Sequence, residues 1–141
     1  DQDPDVLPYL RRQGDQHFDI NLEVSLKTAK AKKEQVICRS NTLNLYWSMA
    51  QQLAHVTSNG CQVDAGDLYA SGTISGEKEG EFGSMLELTW RGTKPIVITE
   101  TGETRTFLED NDVVIMRAYA QGEGYRIGFG ECRGRVIKAW E

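Results

Sequence analysis

Residues 18–27 read FDINLEVSLK, and their reading sets the fold class. Phe18, Ile20, Leu22, Val24 and Leu26 alternate with Asp19, Asn21, Glu23, Ser25 and Lys27. Strand side chains point to opposite faces in turn, so the pattern predicts a long antiparallel strand with one apolar and one polar face. Lys27, Lys30, Lys32 and Lys33 then form a basic turn leading to a second strand over residues 35–39. These lysines read as a solvated hairpin tip that blunts a strand end, in preference to a patch for phosphate or an acidic partner.

One helix is expected, over residues 43–56, capped by Asn41 or Thr42. Leu43, Tyr46, Trp47, Ala50, Leu53 and Ala54 recur on one face, and Leu45, Met49, Gln52 and Val56 on another. A helix apolar on two sides packs on two sides, so Tyr46 and Trp47 are expected to be largely buried. Gly60 is its left-handed stop. His55, near the end, reads as a hydrogen-bonded packing residue rather than a base.

Further along, strands over residues 95–99 and 104–108 flank a turn at Glu100-Thr101-Gly102-Glu103. Glu109-Asp110-Asn111-Asp112 lacks the Asp-x-Asp-x-Asp-Gly pattern of a calcium loop and reads as an acidic turn before a strand over residues 113–120. Gly122-Glu123-Gly124-Tyr125-Arg126-Ile127-Gly128 fails as a dinucleotide fingerprint, because three residues separate the later glycines and Tyr-Arg-Ile continues as strand. It predicts a sharp bend and tight strand packing instead. Residues 133–140 read as a closing strand. The tally is eight or nine strands with one long helix, an α+β and mostly antiparallel architecture.

With 141 residues the chain can bury about two-thirds of its unfolded surface, enough for one core. Its 16 basic against 21 acidic residues, net -5, disfavour a nucleic-acid or anionic-membrane partner. No apolar run approaches the roughly 20 residues of a membrane span. Cys38, Cys61 and Cys132 fit neither a zinc site nor a disulfide framework and read as buried or half-buried thiols in a reducing compartment, the cytoplasm. Residues 1–16, with two prolines and no signal-peptide pattern, read as a linker or surface arm cut from something longer.

Residues 67–90 read DLYASGTISGEKEGEFGSMLELTW, with glycine at 72, 76, 80 and 83. Short strands are expected over residues 68–70 and 85–90, with Leu86, Leu88 and Trp90 facing the core and Glu87 facing either solvent or a cleft. On spacing alone both remain open: a surface hairpin with a solvated glutamate, or a glycine-rich cleft that lets a ligand approach the backbone. No nucleophile–histidine–acid set or metal cluster can be assembled by spacing.

The strings Asp67-Leu68-Tyr69-Ala70-Ser71-Gly72-Thr73-Ile74-Ser75-Gly76 and Phe82-Gly83-Ser84-Met85-Leu86-Glu87-Leu88-Thr89-Trp90 closely resemble the fumarylacetoacetase family, carbon–carbon bond hydrolases at the end of tyrosine breakdown. The likeness extends through Gly92-Thr93-Lys94-Pro95-Ile96, the glycine string at 122–130, Phe18-Asp19-Ile20-Asn21-Leu22 and Tyr46-Trp47-Ser48-Met49. The chain looks like the C-terminal third of such an enzyme, with residues 17–141 as the C-terminal part of its catalytic domain. The resemblance implies a mixed β-roll or β-sandwich core. It implies a calcium or magnesium ion chelating the diketo oxygens of a β-diketo acid. It also implies a histidine that deprotonates the attacking water, and a glutamate that orients this histidine.

Carried over by position, the orienting glutamate is Glu87, and Thr73 touches the substrate's carboxylate end. The metal ligands, the base histidine and the oxyanion lysine and glutamine are expected upstream of Asp1, so none of the metal ligands is expected here. The partners implied are that upstream part and a second copy in a homodimer. Shorter relatives (acylpyruvases, oxaloacetate decarboxylases, hydratases) usually carry Gly-Thr-Pro at this loop, where the chain has Gly72-Thr73-Ile74. Two alternatives stand beside the hydrolase: a non-catalytic binding or assembly module of the same fold, and a related oxo-acid lyase or decarboxylase.

Overall fold

The computed structural model describes residues 2–14 and 17–140. The expected boundary between arm and domain, at residues 16 and 17, falls partly outside them. The alternating stretch forms β1 (Asn21–Lys27), which lies between β2 (Gln35–Asn41) and β5 (Val113–Gly122). With β6 (Tyr125–Arg135) these make a four-stranded antiparallel sheet in the order β2-β1-β5-β6. A two-stranded hairpin, β3 (Ile96–Val97) and β4 (Thr104–Arg105), is separate. The α+β, antiparallel class is the observed one. The described residues hold six strands rather than eight or nine, and the final strand ends at Arg135 instead of running to 140.

Register explains the two faces of the sheet. Leu22, Val24 and Leu26 lie opposite Ala118, Met116 and Val114. On the other face, Glu23 is opposite both Arg39 and Arg117, and Arg117 is opposite Glu131. Charge therefore alternates across all four strands. Arg39 Nε donates to Glu23 at 3.0 Å, while Arg117 donates to Glu131 and to Glu34 of the β1–β2 connection. Opposite charges at directly facing positions support sheet register where like charges would oppose it.

One end of the sheet is closed by the small hairpin. Leu26, Ala31 and the fully buried Ile98 form a cluster on which Ile37 and Val114 pack. The basic turn is held to the same hairpin by polar contacts: the backbone N–H groups of Lys32 and Lys33 both donate to Glu100 at 2.9 Å, and Thr28 donates to Glu103 at 2.7 Å. The acidic partner of this turn is thus internal. The acidic turn before β5 is also more than solvated, since Asp112 is completely buried and receives Arg105 Nε and Nη2 at 2.8 and 3.1 Å.

The helix departs most from expectation. Asn41 caps a 3-10 turn, Thr42–Asn44, by accepting from the Leu43 N–H at 2.8 Å. The helix α1 starts afresh at Met49 and runs to Thr57, with Ser48 and Gln51 forming a reciprocal capping box. Tyr46 and Trp47 lie in the connection between the two, edge to face, and are 43% and 39% exposed rather than buried. Gly60 takes the left-handed conformation expected after the helix. The N-terminal arm is docked on α1: Gln51 Nε2 donates to the Leu10 carbonyl at 2.7 Å, and Leu10 is buried. Of the thiols, Cys38 is buried, whereas Cys61 and Cys132 are exposed, contrary to expectation.

Two outcomes follow from these ion pairs. Asp112→Ala strands a buried guanidinium, a loss usually costing about 3–5 kcal/mol. Glu103 and Glu109 remain 3.6 and 3.4 Å away, so we expect the lower end, and urea unfolding showing less than about 1 kcal/mol would contradict it. Glu34, Glu103 and Glu131 sit below the ordinary carboxylate value of 4.5, held there chiefly by hydrogen bonds from Arg117, Thr28 and Arg133 respectively. A carboxylate depressed in the folded state stabilises fully above its unfolded value and loses that contribution as pH falls through its folded one. The melting temperature is therefore expected to hold down to about pH 5 and to fall below it, less steeply in Glu131→Gln.

Candidate functional site

The glycine-rich segment leaves the sheet's neighbourhood and returns to it. The Arg39 N–H donates to the Gly80 carbonyl at 2.7 Å, which places the loop along the outer edge of β2. Within the loop, the Gly76 N–H donates to the Glu81 carbonyl at 3.0 Å, and a Cβ on Gly76 would stand 2.2 Å from the Glu81 carboxylate. Gly83 is as closely confined, since a Cβ there would lie 2.8 Å from both the backbone N and O of Ile74. Glycine at these two positions allows one part of the loop to press on the other.

Residues 68–70 form no strand, and residues 85–90 are not a strand either. Met85–Leu88 is a single helical turn, α2, with Ser84 as N-cap accepting the Glu87 N–H at 3.3 Å. Leu86 and Trp90, expected in the core, are 52% and 55% exposed, while Thr89 is fully buried. Thr89 donates its hydroxyl to the Met85 carbonyl at 2.7 Å and accepts from the Gly92 N–H at 3.1 Å. These bonds hold a turn in which Trp90 and Arg91 both have positive φ, +49° and +58°. Two consecutive non-glycine residues in that region cost roughly 1–2 kcal/mol each, so the turn that ends α2 is over-determined by its surroundings.

Glu87 is half-buried. Its Oε1 accepts from Ser75 Oγ at 2.8 Å, and its Oε2 accepts from Ser75 Oγ at 3.0 Å and Ser84 Oγ at 2.7 Å. Ser75 Oγ accepts in turn from the Gly83 N–H at 2.9 Å. A carboxylate has about four acceptor positions, so this arrangement fixes the group and leaves capacity for another donor. Thr73, two residues before Ser75, is exposed and lines a concavity of about 590 Å³ with Gly72, Ile74 and Gly83. The floor is the apolar face of the sheet, including Leu22, Val24, Met116 and Cys132. Glu87 does not line this concavity, and reaches it through Ser75 and Ile74.

Cys38 lies on the same floor. Burial pushes its thiol up from the ordinary value, and the charges of Glu81 and Glu87 push it further, so it stays protonated at neutral pH. His55 is elsewhere: it lines a separate apolar cavity between the N-terminal arm and α1, with its Nδ1 3.1 Å from the Tyr9 hydroxyl. Among the described residues, no three His, Cys, Asp or Glu side chains converge as a metal-ligand set. The described residues therefore provide no such ligand set of their own for the divalent cation that the resemblance implies.

A family model for the C-terminal domain of fumarylacetoacetate hydrolases matches residues 8–137. The chain belongs to this family. It is 55% identical over 138 residues to the fumarylacetoacetase of Mus musculus, 54% to that of Homo sapiens and 48% over 136 residues to that of Arabidopsis thaliana. Those alignments cover 96–98% of this chain but only 32–33% of the relatives. The chain thus spans about a third of the length of the curated relatives it matches. The family resemblance picks out Glu87 and Thr73 but not Ser75 or Ser84, and the sequence marks Cys38 only as a buried or half-buried thiol, which it is. Ser84-Met85-Leu86-Glu87 is nevertheless a Ser-x-x-Glu capping signature, which could have marked both the helix start and the partner of Glu87.

The confinement of Gly83 is directly testable. Gly83→Ala must displace Ile74 backbone and is expected to destabilise by about 1–3 kcal/mol. Gly128→Ala, where nothing lies within 4 Å and φ is ordinary, should melt within a degree or two of the unsubstituted protein. Equal melting temperatures for the two variants would mean the loop does not close on itself as described.

Proposed function

We propose that the chain is part of a hydrolase that splits a carbon–carbon bond of a β-diketo acid, fumarylacetoacetate, into fumarate and acetoacetate. The observation that carries this reading is the clamped carboxylate of Glu87, on a family member whose relatives are fumarylacetoacetases. Glu87 is the orienter of the general base. Its free acceptor capacity takes the N–H of an imidazole, which fixes the tautomer and leaves the other ring nitrogen to accept a proton from the attacking water. The negative charge then stabilises the imidazolium. Thr73, exposed on the rim of the concavity, donates its hydroxyl to the carboxylate end of the substrate.

The histidine and the ligands of a calcium or magnesium ion come, on this reading, from residues outside these 141. The large apolar side chains left exposed, among them Leu53 and Val56 on α1 and Ile127 and Phe129 on β6, pack against the remainder of the protein and a second copy. None of the described helices is long and apolar enough to cross a membrane. The exposed thiols of Cys61 and Cys132 suit a reducing compartment, the cytoplasm.

The test is Glu87→Gln in the full-length protein. Shape is retained, the charge is lost, and the amide can donate a hydrogen bond that favours the wrong tautomer. The turnover number is expected to fall by roughly 10²–10⁴, with cation affinity unchanged within a few-fold. Thr73→Val should act mainly on substrate affinity, by about 1–3 kcal/mol. Unchanged turnover in Glu87→Gln would remove the reading. Decarboxylation of oxaloacetate in preference to hydrolysis of fumarylacetoacetate would point to the lyase branch.

A further inference from the structure

We infer that Ser75 is a positioning residue for this reaction: its hydroxyl sets the carboxylate of Glu87 and couples it to the segment that presents Thr73. The inference rests on the role proposed for Glu87 and adds what makes that role geometrically definite. Ser75 Oγ stands 2.8 and 3.0 Å from the two carboxylate oxygens, so its single proton lies in the fork between them. The same oxygen accepts the Gly83 N–H at 2.9 Å, which fixes the direction of the hydroxyl rotor. Every described polar contact of the Ser75 side chain is therefore spent on the site.

Ser84 is different in kind. It donates to Oε2 at 2.7 Å, but it also caps α2, so its loss acts on the helix as well as on the carboxylate. Between them the two hydroxyls load Oε2 twice and Oε1 once, and Oε1 keeps the greater unused capacity. The N–H of the base is accordingly expected at Oε1. The Ile74 backbone is pressed on Gly83, so residues 73 to 75 are fixed as a unit against the turn that carries Glu87. A shift at Ser75 would misplace both the orienting charge and the substrate-binding threonine.

The experiment compares Ser75→Ala, Ser75→Thr and Glu87→Gln in the full-length protein, singly and with Ser75→Ala on the Glu87→Gln background, by steady-state turnover of fumarylacetoacetate from about pH 5 to 9. Misplacing a reacting group by about 1 Å can cost roughly 10²-fold, so Ser75→Ala is expected to lower kcat about 10- to 100-fold. It should also move the acidic limb of the kcat profile, and Ser75→Thr should restore both. On the Glu87→Gln background Ser75→Ala should change kcat less than threefold, because the charge it positions is already gone. The inference is overturned alone if Glu87→Gln lowers kcat and Ser75→Ala does not, or if Ser75→Ala costs the same factor on both backgrounds. It falls together with the role of Glu87 if Glu87→Gln leaves kcat intact. Should Ser75→Ala fail to fold, Ser75→Cys, nearly isosteric with a weaker donor, carries the same comparison.

Discussion

The pairing of β1 with β5 is the constraint on which the other elements depend, because it closes the long loop from Thr28 to Asp112. Closing such a loop costs entropy that rises only slowly with length, and the contacts between the two strands have to offset it. Two kinds of contact offset it. On one face Leu22, Val24 and Leu26 meet Ala118, Met116 and Val114. On the other, Glu23 meets Arg117, and the alternation of charge continues outward to Arg39 and Glu131. A shift by one residue would put carboxylates on the apolar face and guanidinium groups beneath the concavity, so the register is strongly specified.

The candidate site hangs from this sheet by its edge. The loop reaches β2 through the Arg39–Gly80 bond, folds back at Gly83 and enters α2 through Ser84. What arrives is a carboxylate held by two hydroxyls, next to a concavity whose floor is the sheet's apolar face. Chain topology thus links the edge of the four-stranded sheet to the polar network around Glu87. The left-handed pair Trp90–Arg91 lies in the turn that ends α2.

Much of this was legible in the sequence, for reasons specific to each element. Strict alternation identifies β1, and the residues between β5 and β6 tolerate a tight reversal because Gly124 takes φ +75°. The helix is shorter than its apolar spacing predicts because that spacing runs across a break: Asn41 does cap, but it caps a 3-10 turn, and the Ser48–Gln51 box restarts the chain as α1. At residues 85–90 alternation predicts a strand, whereas Met85–Leu88 is a helical turn. Leu86 and Trp90 are exposed while Thr89 is buried, so apolar character does not report burial there, and the capping signature at Ser84 decides the conformation. Glu87 and Thr73 are picked out by the family resemblance and not by any spacing. Of the hydroxyls that hold Glu87, Ser84 stands at the i,i+3 spacing of the capping signature, whereas Ser75 lies 12 residues before Glu87 across a glycine-rich loop, a separation that no strand or helix period selects.

The central claim, that Glu87 is a pre-positioned orienter awaiting an imidazole, is tested most directly by a crystal structure of the full-length protein with a substrate analogue bound. The account predicts a histidine from outside these 141 residues with a ring N–H about 2.6–3.0 Å from Glu87 Oε1. Ser75 would still bridge both carboxylate oxygens, and Thr73 would face the carboxylate end of the analogue. A Glu87 carboxylate that coordinates the cation, or that faces bulk solvent with no histidine near it, would contradict the account.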